Sequence, residues 1–312
     1  MSDKEKNFIS AVVYVHNSEK QICNFIETVA SILEENFEKS EIICVNDFSS
    51  DGSVGEIKKV SESIKSSCIS ILNMSHFHGV EIAMNAGVDL AIGDFVFEFD
   101  SAVLDFDKSE IMRIYKKSLE GFDIVSATPS KSQKTSSSFF YYIFNKFNNL
   151  NYKMTTERFR ILSRRVINRV SSMNKTMPYR KAVYANCGLK TENIIYNPIC
   201  NISVKEDKFI KNYRKNLATD SFIIFTDIGY KVSFFITSLM LIFALGVGIY
   251  SLVYHFLRTP VAGWTSTILF LSVSMFFLFT ILTVILKYLQ ILVNLVFKKA
   301  KYNFESIEKL TK

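Results

Sequence analysis

No Cys-x-x-Cys pair and no cluster of histidines occurs in the 312 residues. The five cysteines, Cys23, Cys44, Cys68, Cys187 and Cys200, stand far apart. That excludes the ligand spacing of a zinc site and the framework of a disulfide-stapled secreted domain, and the thiols read as reduced groups in the cytosol. Internal repeats are missing as well. The first six residues are charged and are followed by a short strand-like run, so no signal peptide is expected. The most telling shortage is of charge. Residues 232–257 and 264–286, runs of 26 and 23 positions, hold no Lys, Arg, Asp or Glu.

At about 1.5 Å rise per residue, either run can cross a hydrocarbon core of roughly 30 Å. The chain is 48% hydrophobic with 28 Phe, too apolar for an ordinary soluble domain, and two transmembrane helices at about 232–257 and 264–290 are expected. Lys205, Lys208, Lys211, Arg214, Lys215 and Lys231 precede the first run, and Lys298, Lys299 and Lys301 follow the second. Arg258 alone lies in the connecting loop, which puts both flanks and both termini in the cytoplasm. The formal charge of +7 suits anionic lipid as well as nucleic acid. The two spans favour lipid, and no nucleic-acid partner is expected.

Before these runs, short apolar stretches alternate with amphipathic ones. "ISAVVYV" leads to a helix over 18–35, "EIICV" to a helix after Gly52, "SCISILN" to a helix over 79–91, and "DFVFEF" to a helix near 109–119, followed by a fifth strand, "FDIVSAT". This order predicts an α/β fold with a mostly parallel sheet and helices on both faces. Ligands of such sheets bind at the C-terminal strand edges, which here carry "HNSEK", "NDFSSDGS", "NMSHFHG" and "DSAVLD". Residues 136–151 are aromatic and amphipathic, suited to the headgroup region or to core packing. The expected organisation is a cytosolic domain over 1–215, an interfacial linker over 216–231, two membrane helices within 232–297, and a basic cytosolic tail over 298–312.

These edges resemble the inverting family-two glycosyltransferases of GT-A (Rossmann-like) fold, in particular membrane-anchored polyprenyl-phosphate glycosyltransferases related to dolichol-phosphate mannose synthase. "VVYVHNSEKQI" is similar to that family's opening strand and Asn-Glu turn, "VNDFSSDGS" to its Asp-Asp-Gly-Ser-x-Asp loop, and "SHFHGVEIAMNAGVDLAIGD" to its Ala-Gly and Gly-Asp segment. "DSAVLD" stands at its Asp-x-Asp position, "RFRILSRR" at its Asp-Phe-Arg segment, and "TPVAGWTS" at its linker between membrane helices. The likeness implies a UDP- or GDP-sugar donor, a polyprenyl phosphate acceptor, and Mg2+ or Mn2+. It further implies that Asp47, with Glu19 and the His16 backbone, meets the donor base, and that His76 stands where the family has an arginine of the nucleotide site. Asp100 would meet metal and diphosphate, and Arg160 and Lys208 would hold phosphate on the acceptor side. Assembly into homo-oligomers through the membrane helices is common among such relatives.

The departures share one electrostatic direction. Asn46 replaces the first acid of the Asp-Asp pair, Phe48 the glycine after it, and Ala102 the second acid of Asp-x-Asp; Arg158 stands in place of an acid, with Glu157 one position earlier. A divalent ion wants several oxygen ligands, and two side-chain donors are gone. One reading keeps transfer of a single hexose, with the ion held by Asp100 and the diphosphate, joined by Asp105, or partly replaced by Arg158. Another is a non-catalytic homologue that serves as a membrane partner of a second transferase or a flippase. A processive polysaccharide synthase fits worst, because the Gln-x-x-Arg-Trp motif of such enzymes is missing and the only tryptophan, Trp264, lies in the linker.

Overall fold

The computed structural model describes residues 4–64, 66–130, 157–173, 179–199 and 304–309, with scattered positions between 213 and 292. Its contacts divide into two units. The first takes in residues 1–146, 150–218 and 299–312, and the second 147–149 and 219–298.

The first unit is built on an eight-stranded sheet of order β7-β5-β6-β4-β1-β2-β3-β8. β1 (Ile9–Val15), β2 (Ser40–Asn46), β3 (Cys68–Met74) and β4 (Phe95–Phe99) all run parallel, with β1 between β2 and β4. β1 is buried almost throughout, as expected of a central strand covered on both faces. The strands are joined by α1 (Glu19–Asn36), α2 (Ser53–Ser61) and α3 (Val80–Leu90). In α1 the buried positions Ile22, Phe25, Ile26, Val29, Ile32 and Leu33 follow helical spacing, so one stripe meets the sheet. Gly87 on α3 allows the closest approach. A Cβ there would lie 2.4 Å from Val12 Cγ1 and 2.6 Å from Val45 Cγ2.

Beyond β4 come α4 (Ser109–Leu119), β5 (Ile124–Pro129), β6 (Phe159–Ser163), α5 (Arg164–Met173), α6 (Arg180–Asn186) and β7 (Thr191–Tyr196). The "RFRILSRR" segment thus supplies a strand, and β6 runs antiparallel between β4 and β5. Its register sets Arg160 opposite Glu98 and Phe159 opposite Phe99. The buried core includes Phe25, Phe97, Phe99, Phe106 and Phe159, and Ala102 is part of it.

The tail over 298–312 contributes β8 (Phe304–Lys309), which pairs antiparallel with β3. Lys58 and Glu308 form an ion pair at 2.5 Å, and Asn73 Nδ2 donates to Glu308 Oε1 at 3.4 Å. Both expected membrane runs fall mostly outside the described residues. Among the described residues no helix is long and apolar enough to cross a membrane.

Candidate functional site

Because β1 to β4 are parallel, the loops that follow them emerge at one edge of the sheet. The first two are laced together. Asn17 Oδ1 accepts from Ser50 N at 2.9 Å, Ser18 N donates to Ser53 Oγ at 2.8 Å, and Gly52 N donates to Glu19 Oε2 at 3.2 Å. Asp51 accepts from Glu19 N at 3.0 Å and from Ser53 N at 3.1 Å, so one carboxylate serves the start of both α1 and α2. Burial opposes its ionisation, yet the bonds from Ser53 and from Glu19 hold its pKa below the ordinary value.

Asp47 is completely buried. Its Oδ2 accepts from the Tyr14 hydroxyl at 2.9 Å and from Gly79 N at 2.8 Å, and its Oδ1 from His78 N at 2.8 Å. His16 Nδ1 donates to the Asp47 carbonyl at 2.7 Å. The side chain therefore ties the loop after β2 to the entry of α3. Gly79 sits at φ +82° against the Tyr213 ring, where a Cβ would lie 2.1 Å from Cζ. Phe77 packs edge-on to both His16 and Tyr213, and the exposed His76 lies over His78 with ring centres 3.9 Å apart. Two residues of this edge, Asn17 at φ +49° and Phe48 at φ +56°, hold left-handed backbone without being glycine.

Asp100, just past β4, has both oxygens engaged. Oδ2 accepts from Arg160 Nη2 and Oδ1 from Arg180 Nη2, each at 2.8 Å, and Lys181 Nζ lies 3.8 Å from Oδ2. Behind it Arg160 pairs with Glu98 and Glu157, each at 3.4 Å. Arg180 donates to Glu98 at 2.6 Å and to Glu81 at 3.2 Å, and the Tyr184 hydroxyl donates to Glu98 at 2.9 Å. Arg160 and Arg180 are completely buried. Burial alone would raise the Asp100 pKa, but Arg160, Arg180 and Lys181, in that order, hold it well below the carboxylate range.

The structure brings Asp100 and Arg160 into direct contact, and joins His16, Glu19 and Asp47 to the loop lace beside them. Arg158 pairs with Asp105, Nε to Oδ2 at 3.1 Å, and the other oxygen of Asp105 accepts from the Tyr196 hydroxyl at 3.0 Å. Lys208 lies outside the described residues. Arg180, Lys181, Glu81, Glu98 and Tyr184 escaped the reading of the sequence. A signal existed in "VFEF": an acid inside an apolar run needs a buried partner, and "PYRKAVY" offers cations just where a short helix begins.

A divalent ion does not fit these donors. Ala102 brings no oxygen and is buried in the core, Asp105 is occupied by Arg158 and Tyr196, and Asp100 is held by two guanidinium groups. Among the described residues no group of three or more His, Cys, Asp or Glu side chains could hold a metal ion.

Comparison with known proteins gives three findings. The profile of the family described as Glycosyl transferase family 2 matches residues 10–174. An uncharacterized glycosyltransferase of Synechocystis is 26% identical over 249 residues, 76% of this chain and 75% of that protein, and a prophage bactoprenol glucosyl transferase homolog of Escherichia coli K12 is 28% identical, covering 60% and 62%. An undecaprenyl-phosphate 4-deoxy-4-formamido-L-arabinose transferase of Salmonella choleraesuis is 31% identical over 40% of this chain and 38% of its own length. Among solved structures, glucosyl-3-phosphoglycerate synthase of Mycobacterium tuberculosis superposes with a TM-score of 0.50 at 10% identity, covering 70% of this chain and 78% of that one. This last likeness concerns the fold alone.

Proposed function

Because the chain belongs to glycosyl transferase family 2 and is a glycosyltransferase, we propose that it moves one hexose from a UDP- or GDP-sugar to polyprenyl phosphate, with inversion, at the cytosolic face of a membrane. An oxygen of the lipid phosphate attacks the anomeric carbon from the side opposite the nucleotide. The bond from that carbon to the β-phosphate oxygen breaks, and its electron pair leaves with the nucleoside diphosphate. The acceptor is already anionic at neutral pH, so no general base is required. Placement and charge stabilisation are what the protein must supply.

The observation that carries this reading is the gathering of Asp47, the β1 and β2 loops and Asp100 at one sheet edge. Asp47 holds that edge in order through His78 and Gly79. Arg160, being buried, is assigned to Asp100, and contact with the acceptor phosphate falls to Lys208. The names of the bactoprenol and undecaprenyl-phosphate relatives support a lipid acceptor. Membrane residence is supported by residues of the second unit: Leu271, Met275, Leu278, Leu282, Ile285 and Leu289 are helical, exposed, and spaced by alternate steps of four and three. Such an apolar stripe is unusual on a water-facing surface and suits lipid.

The test incubates membranes containing the protein with labelled nucleotide sugars and undecaprenyl phosphate. Label extractable into organic solvent is expected with one donor. Donor hydrolysed only to free sugar, or label found only on a water-soluble acceptor, would dismiss the lipid-phosphate reading.

A further inference from the structure

The glycosyltransferase reading leaves open how Asp100 meets the donor, and this inference rests on that reading. In the cluster around Asp100, four carboxylates (Glu81, Glu98, Asp100 and Glu157) face three cations (Arg160, Arg180 and Lys181). The cluster has no positive charge to spare for a diphosphate. Its geometry does something else: one guanidinium donates to each Asp100 oxygen, and both come from completely buried residues.

Arg180 is the better braced of the two. Its Nε and Nη1 are anchored on Glu81 of α3 and Glu98 of β4, and its own backbone N–H donates to Glu81 Oε2 at 2.8 Å. For Asp100 to ligate an ion, the ion would have to sit on a remaining lone pair beside a guanidinium already donating to that oxygen, against its positive charge. The neighbours that could share the ion are committed elsewhere. Asp105 pairs with Arg158 and Tyr196, and the position two residues after Asp100 is Ala102.

We propose that Arg180 is a positioning residue that keeps Asp100 out of metal coordination, so that this protein binds its nucleotide without a divalent ion. Where an Asp-x-Asp pair would be neutralised by a mobile ion, the single Asp100 carboxylate is neutralised by fixed guanidinium groups.

The experiment uses the full-length protein in detergent or nanodiscs, with UDP and GDP as probes. Calorimetry measures nucleotide affinity in EDTA and in Mn2+, and the electron paramagnetic resonance of free Mn2+ reports bound ion. Wild type is expected to bind one nucleotide with affinities equal within about twofold in the two conditions, retaining no Mn2+, whereas a metal-ligated site would change affinity by about tenfold or more. Arg180→Met frees Asp100 Oδ1 and is expected to acquire nucleotide-dependent Mn2+ binding, which Asp100→Asn in the same chain abolishes. A purely structural role for Arg180 would not produce that gain. If Arg180→Met does not fold, the wild-type Mn2+ measurement decides alone. Affinity lost in EDTA and restored with bound Mn2+ in wild type overturns the proposal while leaving the glycosyltransferase reading intact. No binding of either nucleotide in any condition overturns both.

Discussion

Phe48 shows how a single residue stores strain at the C-terminal edge of the sheet. It holds a backbone conformation that glycine adopts freely, at φ +56°, with 58% of its surface exposed. A left-handed L-residue costs roughly 1–2 kcal/mol, and glycine returns roughly 0.5–1 kcal/mol of that through its freer unfolded chain. Phe48→Gly should therefore raise stability by about 0.5–1 kcal/mol, read as a higher melting temperature. An unchanged or lower melting temperature would mean that the Phe48 ring makes a contact worth more than the strain. The identity of such residues was legible in the sequence, because Asp47, Asp100 and Arg160 stand at motif positions. Their partners were not. Nothing local in "PYRKAVY" tells that Arg180 meets an acid 80 positions earlier, because that pairing depends on where a seven-residue helix lands against the sheet.

Among the elements, α3 has the tightest constraint. Its entry is held by Asp47 through Gly79, and its middle lies on Val12 and Val45 at Gly87. The valines are stiff and completely buried. Gly87→Ala gains up to about 1 kcal/mol of helix propensity but must push the helix off the sheet, and overpacking of this kind costs about 1–3 kcal/mol. A net loss of about 1–2 kcal/mol is expected in denaturant unfolding, together with weaker nucleotide binding, because the displaced helix carries the Gly79 N–H with it. Equal stability and affinity would show that the sheet yields there. Elements of this kind were readable, since the alternation of strand and helix through β5 depends on local periodicity. β6, β7 and β8 were not placed, because the antiparallel return of β6 and the pairing of β8 are decided by contacts between distant segments.

For the whole molecule the decisive element is β8, which covers an edge of β3 that would otherwise offer unpaired backbone groups to other chains. A chain ending before Phe304 should melt at lower temperature and scatter more light on warming, while Glu308→Gln alone should change little, since a part-exposed ion pair is worth about 0–1 kcal/mol. A truncated chain that stays as soluble and as stable as the full one would show that β3 needs no outer neighbour. The polar chain from Glu308 through Asn73 and Asn46 to Ser49 N also ends in the loop after β2, so the same truncation should loosen that loop.

Asn73 and its partner on β8 are 235 residues apart. At roughly 5–20 residues per second of synthesis, β3 waits tens of seconds for its neighbour while both charge-free runs are being made. The ribosome therefore delivers the hydrophobic stretches before the sheet preceding them can be completed, and β3 stays without its outer neighbour throughout that interval.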